Sequence, residues 1–355
     1  MTKDISRYPF LSADFFSALE ESGAASPAQG WSAQHLVGAD STDDFFMPLY
    51  LRNESWGEYV FDHGWAQGYQ RAGVSYFPKL VTSVPYTPVP GPRWRGQLPS
   101  VAWLWQSLRE VMSEHQASGW HLLFPDEATR EALAELPLVA RQACHFRWNN
   151  RGYAEFDDFL GALMSRKRKN MRKERALIEQ SGLTIHWRQG AEISAQWWDG
   201  FYQCYAMTYY KRGQRPYLSK SFFLQLAASQ LAPQLAMVAA FENDDMVASA
   251  FYLFDGDALY GRYWGCIREY DGLHFELCYY QGIEFAIRNG LQRFDPGVQG
   301  EHKILRGFEP EITWSLHWLS DQRFHRAIGQ FCEEEARGVQ AYQNEARTLL
   351  PYRRG

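Results

Sequence analysis

Between Phe294 and Arg306 the chain gathers residue types that move protons and hold anions. Asp295, Glu301 and His302 can exchange a proton, while Lys303 and Arg306 can bind a carboxylate or phosphate or steady a developing oxyanion. The apolar residues around Phe294 read as a short strand that Pro296-Gly297 ends, and Gly300 lets the backbone approach a ligand closely. A polar turn between core strands would account for the glycines. So many ionisable types after a strand end favour a site. His274 and Glu276, at the start of a helix expected over about 274–289, are further candidates for the proton-transfer role. Tyr260, Arg262 and Trp264 fall on a strand expected over 258–264 and can face a ligand, and Gly297 and Gly300 are further candidates to contact it. Any one of these side chains could instead serve a structural ion pair, so the reading rests on the group. No Gly-x-Ser-x-Gly or similar nucleophile motif is present, which favours direct transfer over a covalent intermediate. Glu301-His302 alone lacks the spacing of a metal site, and none is expected.

A second feature is the run Arg166-Lys-Arg-Lys-Asn-Met-Arg-Lys-Glu-Arg175, with seven basic residues and one acid. Most charge runs are solvated helix faces. Here like charges at i,i+4 repel unless an anion meets them, and the net charge of the whole chain is −5, so the positive charge is local. Arg168, Arg172 and Lys173 are therefore candidates to meet a phosphate-bearing ligand, RNA or a lipid pyrophosphate.

These groups need a scaffold, and the chain can supply one. Its 355 residues suggest two domains, and 46% hydrophobic residues with 16% aromatics can fill sizeable cores. Five scattered cysteines without a Cys-x-x-Cys pair indicate neither a disulfide framework nor zinc. The polar start Met1-Thr-Lys-Asp-Ile-Ser6 does not read as a signal peptide, and no apolar run approaches the roughly 20 residues of a membrane span. A cytoplasmic protein is the expectation.

The linker Asn149–Gly152 divides an N-terminal unit, 1–150, from a C-terminal unit, 151–355. In the first, helices are expected near 12–20, 101–118 and 126–136, and strands near 34–37, 46–51, 120–124 and 146–148. Asp40–Asp44 reads as an acidic turn. The proline-rich stretch Tyr76–Pro92 is either a groove lining or a rigid connector. The second unit opens with one long helix over about 155–180 that carries the basic run. Then come strand 183–188, helices 193–211 and 219–230, strands 235–241, 246–254 and 258–264, helix 274–289, strands 292–295 and 312–318, and a last helix over 321–347.

That order matches the acyltransferase fold of the GNAT superfamily through its fifth strand. In that fold the fourth and fifth strands splay and the acyl donor enters the gap, which here falls between 258–264 and 292–295. Acetyl-CoA enzymes of the superfamily usually carry an Arg/Gln-x-x-Gly-x-Gly/Ala loop before the intervening helix. This chain has Arg268-Glu-Tyr-Asp-Gly-Leu-His274, whose acids would oppose a pyrophosphate.

The basic helix and the strand end Phe294-Asp-Pro-Gly297 resemble the Fem-type (FemAB) branch, the aminoacyl-tRNA-dependent peptidyltransferases of peptidoglycan bridges. Longer strings are similar to a mainly proteobacterial family of GNAT-type N-acyltransferases labelled peptidoglycan biosynthesis/recognition. They include Gly57-Glu-Tyr-Val-Phe-Asp62, Tyr76-Phe-Pro-Lys79, Phe146-Arg-Trp148, Tyr260-Gly-Arg-Tyr-Trp-Gly-Cys266, Leu273-His-Phe-Glu-Leu-Cys-Tyr-Tyr280 and Gly300-Glu-His-Lys303.

The resemblance implies an α/β (α+β) fold of tandem GNAT-like units, each a mixed, splayed sheet flanked by helices. It implies transfer of an aminoacyl or acyl group to the amine of a small molecule or peptide. Aminoacyl-tRNA is the favoured donor, with tRNA at helix 166–175, and acyl-CoA the other; no tightly bound cofactor is expected. Two alternatives stand beside it, an acetyl-CoA-dependent N-acetyltransferase and a non-catalytic module that binds cell-wall peptides or glycans.

Overall fold

The computed structural model describes residues 8–38, 44–55, 57–298 and 300–353. Met1–Ser6 and all of the acidic turn but Asp44 lie outside the described residues. The chain packs as two compact units, one of residues 1–144 with 312–343, the other of 145–311 with 344–355. Both are α/β, with mixed sheets flanked by helices.

In the first unit the strands Ser32–Ala33, Tyr50–Arg52, Lys79–Thr82, Gly119–Leu123 and the 312–319 part of Glu309–Leu319 lie side by side in that order. Lys79–Thr82 and Gly119–Leu123 run parallel, and the helix Val101–Glu114 connects them. Ser100 caps this helix by accepting from the Trp103 N–H. Leu104, Leu108 and Met112 fall at i, i+4, i+8 and bury against Leu80, Trp120 and Leu122. Only Lys79–Thr82 of the proline-rich stretch pairs as a strand. The rest is a connector clasped by Arg93, which is 0% exposed; its guanidinium donates to the carbonyls of Val89, Pro92, Leu123 and Phe124.

In the second unit the order is the 145–149 part of Val139–Asn149, then Arg293–Asp295, Ala258–Cys266, Asp245–Phe254, Leu235–Glu242 and Thr184–Gln189. The last four pair antiparallel, and Ala258–Cys266 pairs parallel with Arg293–Asp295. From Thr184 to Asp295 the elements follow the order read from the sequence. Before Thr184 one expectation fails. The long helix over 155–180 is two helices, Phe156–Ala162 and Ser165–Gln180. Leu163 is fully buried and extended (ψ 152°) and bridges Tyr352, while the Met164 N–H donates to the Pro351 carbonyl at 2.8 Å. This tertiary pairing outweighs the helical periodicity that runs through Leu160, Leu163 and Met164.

Candidate active site

Ala258, Leu259 and Tyr260 pair in register with Arg293, Phe294 and Asp295, and there the pairing stops. The longer strand runs on to Cys266, whereas Pro296 has no N–H to continue the ladder and Gly297 turns away at φ 89°. The strands part as the sequence led us to expect. Between them opens a cavity of about 110 Å³ whose lining includes Arg262, Trp264, His274, Cys278, Tyr279 and Gly297. Opposite it, Phe251 faces Tyr263 and Tyr252 faces Gly261, so Arg262 is the extra residue of a β-bulge.

The other wall is the helix 273–288. It begins as Leu273–Phe275, widens to a π turn over Glu276–Tyr280 and resumes over Gln281–Arg288. Such turns are rare and concentrate at functional sites. The π turn carries Cys278 and Tyr279, both of which line the cavity. Gly282 seats the helix on the strand, since a Cβ there would meet the Phe294 ring at 2.5 Å.

Burial keeps the two histidines of the site neutral near pH 7. His274 is pushed down to about 4, first by burial and then by His302, Lys303 and Arg306. His302 is lowered in the same direction, by burial and then by Lys303 and Arg306. The Tyr279 hydroxyl lies 2.8 Å from His302 Nε2, and burial raises its pKa. Lys303 is 1% exposed; burial brings it down to about 8 against the pull of Asp295. Its ammonium donates to the Gly297 carbonyl, while Asp295 Oδ1 accepts from the Gly297 N–H at 2.9 Å. Asp295 and Lys303 thus pin the turned-away strand end.

The remaining candidates divide clearly. Glu301 is exposed. Arg306 donates to Glu174 at 2.8 Å, to the Tyr280 hydroxyl at 3.0 Å and to the His302 carbonyl at 2.9 Å, and it stacks 3.5 Å from the Phe275 ring. Glu276, 3% exposed, receives Arg175 at 2.9 Å and Gln281 at 2.8 Å. Tyr260 donates to Asp255 at 2.8 Å. Gly300, at φ 108°, leaves room for the ring of His302 itself: a Cβ there would stand 2.2 Å from its Cε1. On the helix Ser165–Gln180, Arg172 and Lys173 are exposed and Arg168 is half-buried, while Glu174 and Arg175 tie the helix to Arg306 and Glu276. Among the described residues no group of three or more His, Cys, Asp or Glu is placed to hold a metal ion. None of the described helices is long and apolar enough to cross a membrane.

Tyr279 and Cys278 are among the lining residues that the sequence reading passed over, with Tyr252 and Tyr263. A regular 3.6-residue period hides a π turn. The signal that could have drawn attention to Cys278 and Tyr279 is the chemistry-rich string His274-Phe-Glu-Leu-Cys-Tyr-Tyr280 itself.

The profile of a FemAB-like family, described as peptidoglycan biosynthesis/recognition, matches residues 2–354. The chain is similar in structure to FemX, with TM-score 0.53 and 10% identity over 93% of this chain and 99% of that one. It is also similar to L-PGS from Bacillus licheniformis, with TM-score 0.52 and 9% identity over 92% and 96%. No curated protein matches the sequence.

Proposed function

This chain belongs to the FemAB-like family of peptidoglycan biosynthesis/recognition, and on that premise we propose that it is an acyltransferase that moves an activated acyl group, aminoacyl in the favoured case, onto an amine. The observation that carries the reading is the cleft between the parted strands, lined by Arg262, His274 and Tyr279, with His302 behind Tyr279. At about 110 Å³ the cleft takes an acyl end, not a whole donor, since sites for drug-sized ligands run to roughly 300–1,000 Å³. The bulk of the donor lies outside it.

In this mechanism the amine nitrogen attacks the carbonyl carbon of the donor and forms the new C–N bond. Its proton passes through the Tyr279 hydroxyl to the neutral His302. Arg262, presented by the bulge, faces the oxyanion with positive charge. The ester C–O bond, or the C–S bond of a thioester, then breaks; the leaving group takes its proton from Tyr279, which regains one from the protonated His302, so both side chains return to their starting state. Asp295 and Lys303 hold the Gly297 wall, and His274 packs against Trp264 at 5.3 Å between ring centroids. Glu301, exposed and not on the lining, and Glu276, which anchors Arg175, stand outside this scheme.

The donor preference rests on charge. The loop before the helix 273–288 carries Glu269 and Asp271, which oppose a CoA pyrophosphate, whereas the helix Ser165–Gln180 offers Arg172, Lys173 and Arg168 to an RNA backbone. Glu174 and Arg175 connect that helix directly to the site. The test is to supply aminoacyl-tRNA and acetyl-CoA separately, with an amine-bearing peptide, and to follow loss of the donor bond. Amine-dependent consumption of aminoacyl-tRNA supports the reading. Consumption of acetyl-CoA alone replaces it with an N-acetyltransferase, and binding of peptide with neither donor consumed replaces it with a recognition module.

A further inference from the structure

The first unit contains a cavity of about 560 Å³ that the proposed transfer chemistry does not use. Its volume falls within the range of small-molecule sites. Tyr59, Val60, Phe61, Phe124, Trp314 and Val339 make its walls largely apolar. Phe61 on the lining is 59% exposed, and Phe331, 46% exposed and just outside the lining, lies 5.9 Å from the guanidinium of the lining residue Arg141. Exposed rings gathered at an apolar opening, rather than scattered, mark a place where apolar surface is to be covered. Two wall residues, Tyr59 (φ 67°) and Phe124 (φ 55°), sit in the left-handed region, as does Glu58 (φ 45°) beside them. Strain of this kind persists where the surroundings impose it and is frequent at ligand clamps.

The polar groups of the lining narrow the ligand further. Arg141 is neutralised by Glu335 through two hydrogen bonds of 2.7 and 2.8 Å, and its remaining nitrogen donates to the Phe61 carbonyl at 2.7 Å. The opening therefore offers no spare cation to a phosphate or carboxylate. Ser315 Oγ is engaged by His317 Nε2 at 2.8 Å, and the Thr313 hydroxyl donates to the Ala143 carbonyl at 3.4 Å. Gln142 differs. It lines the cavity, and its Oε1 is buried without a hydrogen-bond partner among the described residues. An unmet buried acceptor is unfavourable; Oε1 is closed off from the cavity, and a turn of the half-buried Gln142 amide toward a ligand that donates one hydrogen bond would relieve it.

We infer that this cavity binds a neutral amphiphile, an aliphatic or aromatic body with a single O–H or N–H donor directed to Gln142 Oε1. The apolar walls take the body, the closed Arg141–Glu335 pair excludes strong anions, and Gln142 selects the donor. The site is independent of the transfer cleft, and its test requires no acyl donor.

The full-length protein is titrated with N-phenyl-1-naphthylamine, a neutral aromatic with one N–H whose fluorescence rises in apolar surroundings. Saturable one-to-one binding is expected. Dodecan-1-ol should displace the probe at a concentration at least about tenfold lower than methyl dodecyl ether, which has no donor. Val339→Trp, which fills the cavity from the helix side, should weaken probe binding at least about tenfold. Gln142→Leu leaves the volume nearly unchanged and should abolish the preference for alcohol over ether, so the inference stays testable if the tryptophan variant fails to fold. Absence of saturable binding overturns it. Binding unchanged in both variants, or an ether preferred to the alcohol, overturns it equally.

Discussion

The Tyr279 hydroxyl and His302 Nε2 stand 2.8 Å apart, joining a π turn in one wall of the cleft to the Gly300–Arg306 turn. Neither residue alone reaches from the cavity to a proton acceptor. Together they do, because the wider π turn brings Tyr279 to the cavity lining while Gly300 admits the imidazole behind it. Removing the hydroxyl with Tyr279→Phe should lower kcat by about 100-fold with little change in thermal stability. His302→Gln should fall by a similar factor, and the double variant should be no worse than either, because the two act as one unit. Single-turnover transfer assays check this.

Gly300→Ala tests the space behind the imidazole. The added methyl would lie 2.2 Å from His302 Cε1, at a φ of 108° that alanine rarely adopts. We expect His302 to be displaced, activity to fall as in His302→Gln, and stability to drop by about 1–3 kcal/mol. Urea denaturation read alongside turnover separates the two effects.

The pH dependence follows from burial. His302 must be neutral to accept a proton, and its pKa is depressed below 6.5, so kcat should hold as pH falls through the ordinary histidine range and decline only below it. Lys303 gives a stability effect of opposite position. Its folded pKa is about 8 against an ordinary value of 10.5, so between those values the unfolded chain binds the extra proton. Stability attributable to this group therefore rises with pH across that window. Lys303→Met should flatten that rise, as measured by thermal or chemical denaturation from pH 7 to 10.

Arg175 and Glu276 link the basic helix to the cleft wall. Glu276 is 3% exposed and depends on Arg175 at 2.9 and 3.2 Å. Arg175→Met leaves a buried carboxylate without its cation and should destabilise the second unit by about 3–5 kcal/mol, with Glu276→Gln recovering part of the loss. A double-mutant cycle in urea measures the coupling.

The exposed side of the same helix answers to a different readout. Replacing Arg168, Arg172 and Lys173 with glutamate should weaken tRNA binding and reduce its salt slope by about 2–3. Filter binding at several salt concentrations checks this, and an unchanged slope returns the helix to a solvated face.

Much of this architecture is legible in the chain. Alternating and continuous apolar runs gave the strands from Leu235 to Phe294, and Pro296-Gly297 marked where the fifth strand had to stop. The parted strands follow from that stop. Other features are tertiary and leave no local trace. Leu163 and Met164 continue a helical period, yet Pro351 and Tyr352 from the far end of the chain break the helix between them. Arg262 becomes a bulge only through its antiparallel neighbour, and Arg306, which looks like a free cation in the sequence, is consumed by Glu174 from 132 residues away.

The central claim is that the cleft transfers an activated acyl group to an amine through Tyr279 and His302. Its most direct test follows labelled aminoacyl-tRNA with an amine-bearing peptide, comparing the native chain with Tyr279→Phe at matched folding. The account predicts label on the peptide amine with the native chain and a rate about 100-fold lower with the variant. Equal rates for the two proteins, or label that never leaves any activated donor, would contradict it.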